Sequence, residues 1–371
     1  MDPSLRNLDH PTKSPSDQPD DPDPHEGDES VKSVDGPIAV PSQVAGSGTL
    51  DRLVETARDY ARAAVSENTL AAYTADWAAF ARWCRMRGAD PLPASPQLIG
   101  LYIANLAAPS AKTPALSVSS IERRLSGLAW GYTQRGERLD RKDRHIGSVL
   151  AGIRRKHARP PVQKEAILPE DLRDMLATLP HDLRGLRDRA ILLTGFAGGL
   201  RRSEIVSLDH GKDDTPDSGG WVEVLEDGIL VTLRGKTGWR EVEIARGSSD
   251  QTCPVHALTQ WLHYAKIDFG PLFVAVSRNG VRATADRLSD KHVARLIKQT
   301  VRDAGLRPDL PEAERIALFS GHSLRAGLAS SAEVDERYVQ KQLGHASSEM
   351  TRRYQRRRDR FRVNLTKAAG L

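Results

Sequence analysis

Apolar residues in SENTLAAYTADWAAFARWCRMRG, residues 66–88, recur at steps of three and four: Leu70, Tyr73, Trp77, Phe80 and Cys84. That period puts them on one face of a helix, with Ser66 as N-cap and Gly88 as the stop. SPQLIGLYIANLA predicts a second helix, opened by Ser95 and Pro96, because proline at the first helical position gives up an N–H that would be unpaired anyway. SVSSIERRLSGLAWGYTQRG predicts a third, with Ile121, Leu125, Leu128 and Tyr132 on the inner face and Arg123 and Arg124 off it. Residues 51–157 therefore read as an all-helical domain whose stripes are core. On pattern alone the two arginines are a solvated face.

The run RRKHARPPVQKEAI, residues 154–167, reads as a connection, since Pro160 and Pro161 cannot continue a helix. The boundaries expected are a helical domain over 51–157, a linker over 158–167 and a second domain over 168–371. Arg154, Arg155 and Lys156 suit a chain that crosses a phosphate backbone. Beyond the linker the period changes. LPEDLRDMLATLP and LRGLRDRAILLTGFAGGLRRSEIVSL are helical, and DHGKDDTPDSGG is a loop. WVEVLEDGILVTLRGKTGWREVEIA alternates apolar and polar residues around turns at Asp227-Gly228 and GKTG, which predicts three antiparallel strands. From about Pro254 the pattern is mainly helical again. The expected fold class is mainly α with a small antiparallel β-sheet in two domains, and no period of a repeat array occurs.

Composition changes this picture at the ends. Residues 1–48, dominated by Pro, Asp and Ser, carry too little apolar surface to order and read as a disordered acidic tail. Residues 1–36 hold ten Asp/Glu against three Lys/Arg, a net −7, so the remainder of this +5 chain carries +12. Such a body suits a polyanionic partner, nucleic acid first, or is simply a basic soluble surface. The two cysteines, Cys84 and Cys253, exclude a disulfide framework or Cys-rich zinc site and fit a reducing cytoplasm. With no 18-residue apolar run, no membrane span is expected, and the acidic N-terminus is not a signal peptide.

Four short motifs carry chemistry. In GGLRRSEI, Arg201 and Glu204 stand three apart. In RGKTGW, Lys236 sits at a predicted turn. GHSLRAG holds His322 and Arg325, again three apart, and LGHASSEMTRRY holds His345 with Tyr354 nine residues on. Singly each is weak: a helical ion pair, a turn lysine, a core histidine. Together they suit attack on a phosphodiester. Two arginines, Arg201 and Arg325, neutralise its non-bridging oxygens through paired N–H donors. A phenol, Tyr354, is a nucleophile once a base such as His322 takes its proton. An acid, Lys236, protonates the departing oxygen, and His345 is a further phosphate donor.

This ordered set resembles the tyrosine recombinase, or phage integrase, family: an Arg in GLRRSE, a hairpin Lys, an HSLR box, a GH box and a Tyr nine residues later. The likeness covers about residues 51–365, and SGHSLRAG and GIRRK particularly resemble the Cre branch. It implies a helical, SAM-like core-binding domain and an α+β catalytic domain forming a C-shaped clamp on double-stranded DNA. Arg123, Arg124, Arg154, Arg155 and Lys156 then become DNA contacts. Glu204 braces the active-site arginine and histidine. The implied reaction is transesterification at recombination sites through a 3′-phosphotyrosyl intermediate, with no metal, ATP or other cofactor. The implied assembly is a monomer that becomes a homotetramer on DNA, in the cytoplasm at the nucleoid.

Two features depart from the family pattern. Only 20 residues separate Arg325 from His345, which predicts trimmed helices or loop there, and the acidic tail lies outside the pattern. The rivals are a type IB topoisomerase, a hairpin telomere resolvase and an inactive DNA-binding regulator. The HSLR spelling and the first domain speak against the topoisomerase, and the intact catalytic set against the regulator.

Overall fold

The protein is described by a computed structural model that covers residues 50–109, 114–160, 163–212, 215, 217–235, 238–345, 347–349 and 351–352. The tail at 1–48, Lys236, Tyr354 and the end of the chain lie outside the described residues. The chain divides between residues 161 and 162 into two compact units.

The first unit is built of α1 (Asp51–Ala63), α2 (Glu67–Arg85), α3 (Pro96–Ala107), α4 (Val118–Thr133) and α5 (Arg144–His157). The caps follow the sequence. Ser66, Ser95 and Ser117 accept the backbone N–H of Thr69, Leu98 and Ser120, each cap contributing about 1 kcal/mol. Of the expected stripe, Tyr73, Trp77, Phe80 and Cys84 are buried and Leu70 is half-buried, and α2 packs on α4 while α3 packs on α5. Trp77 meets Tyr132, and Phe80 meets Tyr102, edge-on at 5.0 Å. One boundary differs from the pattern. Arg154, Arg155 and Lys156 form the last turn of α5 rather than a connection. The helix runs on to His157, just short of Pro160, and cations are favoured at a helix C-terminus.

The second unit runs α6 (Pro169–Ala177), α7 (Leu183–Ala197), α8 (Arg202–Ser207), β1 (Leu208–His210), β2 (Gly220–Val224), β3 (Gly228–Gly235) and β4 (Gly238–Ala245). Then follow α9 (Pro254–Ala265), β5 (Gly270–Pro271), β6 (Val274–Val276), β7 (Ala283–Arg287), α10 (Asp290–Asp303), α11 (Glu312–Leu318), α12 (His322–Ser331) and α13 (Glu336–Leu343). β2, β3 and β4 form the antiparallel meander the alternation predicts, with Val222, Val231 and Val242 in register and buried. The sheet is larger and mixed, in the order β4-β3-β2-β1-β5, because β1 adds in parallel to β2. Three residues are too few for β1 to show an alternating pattern. β6 and β7 form a separate pair.

The core gathers Leu192, Ile205, Trp261, Phe273 and Ile297 from α7, α8, α9, the β5–β6 connection and α10. Trp261 Nε1 donates to the Leu272 carbonyl at 2.8 Å, so its polar edge is satisfied inside. The segment before α6 is sewn to the region around α12. The N–H of Glu165 donates to the Leu318 carbonyl, and that of Ile167 to the Ser323 carbonyl. Among the described residues no helix is long and apolar enough to cross a membrane.

Candidate active site

The helix expected over GFAGGLRRSE is two helices with a break. Gly199 takes φ +56°, and a Cβ there would lie 2.5 Å from Leu343 Cδ2 and 3.0 Å from Leu328 Cδ2. Glycine alone meets both demands. The break makes Arg201 the N-cap of α8, extended at φ −72° and ψ 150°, rather than a residue within a helix. Glu204 then closes back on it. Its Oε2 accepts the Arg201 backbone N–H and its Oε1 accepts Arg201 Nη1, both at 2.8 Å.

Glu204 has a second cation that the motifs do not include. Arg240, on β4, donates from Nη2 to Glu204 Oε2 at 3.0 Å and from Nη1 to the Gln342 carbonyl at 2.7 Å. Burial alone would raise the Glu204 carboxyl. The guanidiniums of Arg240 and Arg201 outweigh burial and hold it below the usual carboxylate range. Among the described residues the hydrogen-bond partners of the Glu204 carboxylate are these two arginines.

Arg325 lies in the first turns of α12, just after His322 at its first position, and is 1% exposed. Its Nη1 donates to the Gly199 carbonyl at 2.6 Å and its Nη2 to the Leu343 carbonyl at 2.5 Å. One guanidinium thus joins the loop before Arg201 to the end of α13. The stretch between Arg325 and His345, 20 positions apart, still holds most of α12 and all of α13, so the short spacing keeps two short helices.

His345 follows Gly344, the left-handed C-cap of α13. It is buried, and its Nδ1 shares a 2.9 Å hydrogen bond with the Thr351 hydroxyl. Its pKa is pushed down to about 3, first by burial and then by the neighbouring Arg325, Arg201, His322 and Arg240. A neutral His345 whose Nδ1 accepts from Thr351 presents Nε2–H as a donor. The field that repels a proton here favours an anion. Thr351 escaped the sequence reading, although it stands three residues before Tyr354. Arg240 escaped because strand arginines are common.

In the first unit, Arg123 donates to both oxygens of the buried Asp76, at 2.6 and 2.9 Å, and Arg124 approaches the same carboxylate at 3.8 Å. Arg154 pairs with Glu122, while Arg155 and Lys156 are exposed.

A family model described as the phage integrase family matches residues 165–360. The integrase/recombinase XerD homolog of Selenomonas ruminantium is 34% identical over 311 residues, covering 81% of this chain and 84% of that protein. The tyrosine recombinase XerA of Pyrococcus furiosus is 28% identical over 201 residues, covering 53% of this chain and 59% of that one. Among solved structures, a lambda integrase dimer bound to a COC′ core site aligns with TM-score 0.50 at 16% identity, covering 84% of this chain and 96% of that one. The Tn1549 transposon integrase in complex with a circular intermediate DNA aligns with TM-score 0.50 at 18% identity, covering 81% and 92%. These two likenesses are of fold.

Proposed function

From the premise that the chain belongs to the phage integrase family and is a tyrosine site-specific recombinase, we propose that it cuts and rejoins double-stranded DNA through Tyr354. Arg201 and Arg325 hold the non-bridging oxygens of one phosphate, and neutral His345 adds an N–H. The Tyr354 oxygen attacks phosphorus, aided by His322 as base. A phosphorus–oxygen bond forms to the tyrosine, the bond to the 5′-oxygen breaks, and Lys236 supplies that oxygen with a proton. The 5′-hydroxyl of a partner duplex then attacks the 3′-phosphotyrosyl ester by the reverse steps. Bond energy is conserved in the ester, so no nucleotide or other cofactor enters.

The observation that carries this reading is the positive cage around His345. Arg325 of α12, Arg201 at the start of α8 and Arg240 of β4 surround the buried His345 and add to burial in holding it neutral, which suits a site for a phosphodiester anion. The 34%-identical relative supports recombination over simple relaxation or telomere resolution.

Both units contact the duplex, joined by the linker at 158–167. The chain is a monomer in solution and a homotetramer on two recombination sites. The segment 363–371 docks on a neighbouring protomer, so its removal impairs synapsis more than half-site binding.

The test is incubation with a nicked suicide substrate followed by denaturing electrophoresis. Wild type forms a covalent protein–DNA adduct and Tyr354→Phe binds DNA without one. An adduct that survives the substitution refutes the assignment. Sedimentation with and without site DNA checks the assembly.

A further inference from the structure

Arg240 belongs to none of the motifs, yet it stands between them. Its guanidinium spans two elements, with Nη2 on Glu204 of α8 and Nη1 on the carbonyl of Gln342 at the end of α13. Glu204 Oε2 accepts from Arg240 and from the Arg201 backbone at once, while Oε1 accepts the Arg201 side chain. The carboxylate is thus divided between two arginines. Gln342 reinforces the same join, since its Nε2 donates to the carbonyls of Ala197 and Glu243.

The stem of Arg240 also shapes the turn into His345. Gly344 sits at φ +60°, and a Cβ there would lie 2.8 Å from Arg240 Cδ and 3.0 Å from its Nε. The backbone passes directly over the arginine, and His345 is the next residue. A bond that only held β4 to α13 would need neither the shared carboxylate nor contact with this turn.

We propose that Arg240 is a positioning residue for the reacting phosphate: by sharing Glu204 with Arg201 and gripping the Gln342 carbonyl, it sets both the Arg201 guanidinium and the turn that carries His345. Without it, the whole charge of Glu204 falls on Arg201 and draws that guanidinium away from an incoming phosphate. The inference rests on the transesterification proposed above.

The experiment compares wild type, Arg240→Lys and Arg240→Gln in single-turnover cleavage of a suicide half-site at saturating DNA. Half-site affinity and thermal melting are measured on the same preparations, and rates are normalised to the folded fraction by near-ultraviolet circular dichroism. Arg240→Gln is expected to lower the rate about 10- to 100-fold, the scale of a misplaced reacting group, with half-site affinity little changed. Arg240→Lys restores the charge but recovers only part of the rate, because one ammonium cannot reach both oxygens as a guanidinium fork does. The acid limb of the rate–pH profile moves to higher pH in Arg240→Gln, since one of the cations opposing protonation of His345 is gone. Glu204→Gln combined with Arg240→Gln is less damaging than the two separate losses multiplied. Wild-type rates from both Arg240 variants, or losses that vanish on normalisation to folded protein, overturn the inference while leaving the reaction itself standing. Failure of wild type to form the adduct overturns both.

Discussion

Arg325 lies 126 residues beyond Gly199 in the chain, and its Nη1 donates to the Gly199 carbonyl at 2.6 Å. With its second bond, to the Leu343 carbonyl, this buried side chain fixes two loops at once. A lysine keeps the charge but offers one ammonium in place of a planar fork. Arg325→Lys is expected to lower cleavage about 100- to 1,000-fold, as loss of a preorganised donor does, while half-site binding persists. Quench-flow measurement of adduct formation checks it. A rate within a few-fold of wild type would show that the two carbonyl bonds do not orient the group for catalysis.

The burial of neutral His345 has a consequence for acid stability. Its pKa falls from the ordinary 6.5 to about 3 on folding. The unfolded chain therefore binds the proton more readily between those values, and stability rises with pH across that window. The contribution is complete above about pH 6.5 and is lost as pH falls toward 3. Glu204, also held low, adds to the loss below the ordinary carboxylate range. Melting temperature should drop steadily from pH 7 to 4.5, and His345→Gln should flatten that slope. Calorimetry across the range decides it, and equal slopes in both proteins would contradict the assignment of the proton to His345.

The arginines of the first unit separate by partner. Arg123 is committed to Asp76, which is 4% exposed. Arg123→Ala leaves that carboxylate short of its bidentate partner and is expected to cost about 3 kcal/mol of stability. Arg155 and Lys156 are exposed at the end of α5. Replacing either by alanine is expected to leave melting unchanged and to reduce the salt dependence of DNA binding by about one unit of slope each. Calorimetry and anisotropy titrations over a range of salt distinguish the two classes.

How far the amino-acid pattern reaches is shown by these same residues. Tyr73, Trp77, Phe80 and Cys84 could be read as an inner face because the helical period repeats several times with serine caps to frame it. The β2–β3–β4 meander was legible for the same reason, since β3 and β4, eight residues each, alternate long enough to show. β1 was not, being three residues long and held in place by β2 beside it. The four motifs gave Arg201, Glu204, Arg325 and His345, whose side chains the fold does bring together. Arg201 as a helix cap was hidden, because Gly198 and Gly199 are compatible with a helix on paper and only the packing of Leu343 and Leu328 demands the break. Arg240 was hidden for a different reason. Its role depends on Gln342, 102 residues away, and no local pattern encodes that distance.

Lys236 offers a chemical test of its proposed role as acid. Lys236→Ala should slow cleavage of ordinary DNA far more than cleavage of DNA with a 5′-bridging phosphorothiolate, because sulfur departs without a proton. Single-turnover rates on the two substrates give the comparison. Equal losses on both would mean that the lysine binds phosphate and donates nothing.

The anchoring of β4 also ties the hairpin to the rest of the site. Strands β3 and β4 pair as far as Gly235 with Gly238, and Arg240 pins β4 to α8 and α13 two residues further on. Any displacement of this strand therefore pulls at once on the carboxylate that holds Arg201 and on the end of α13 just before His345.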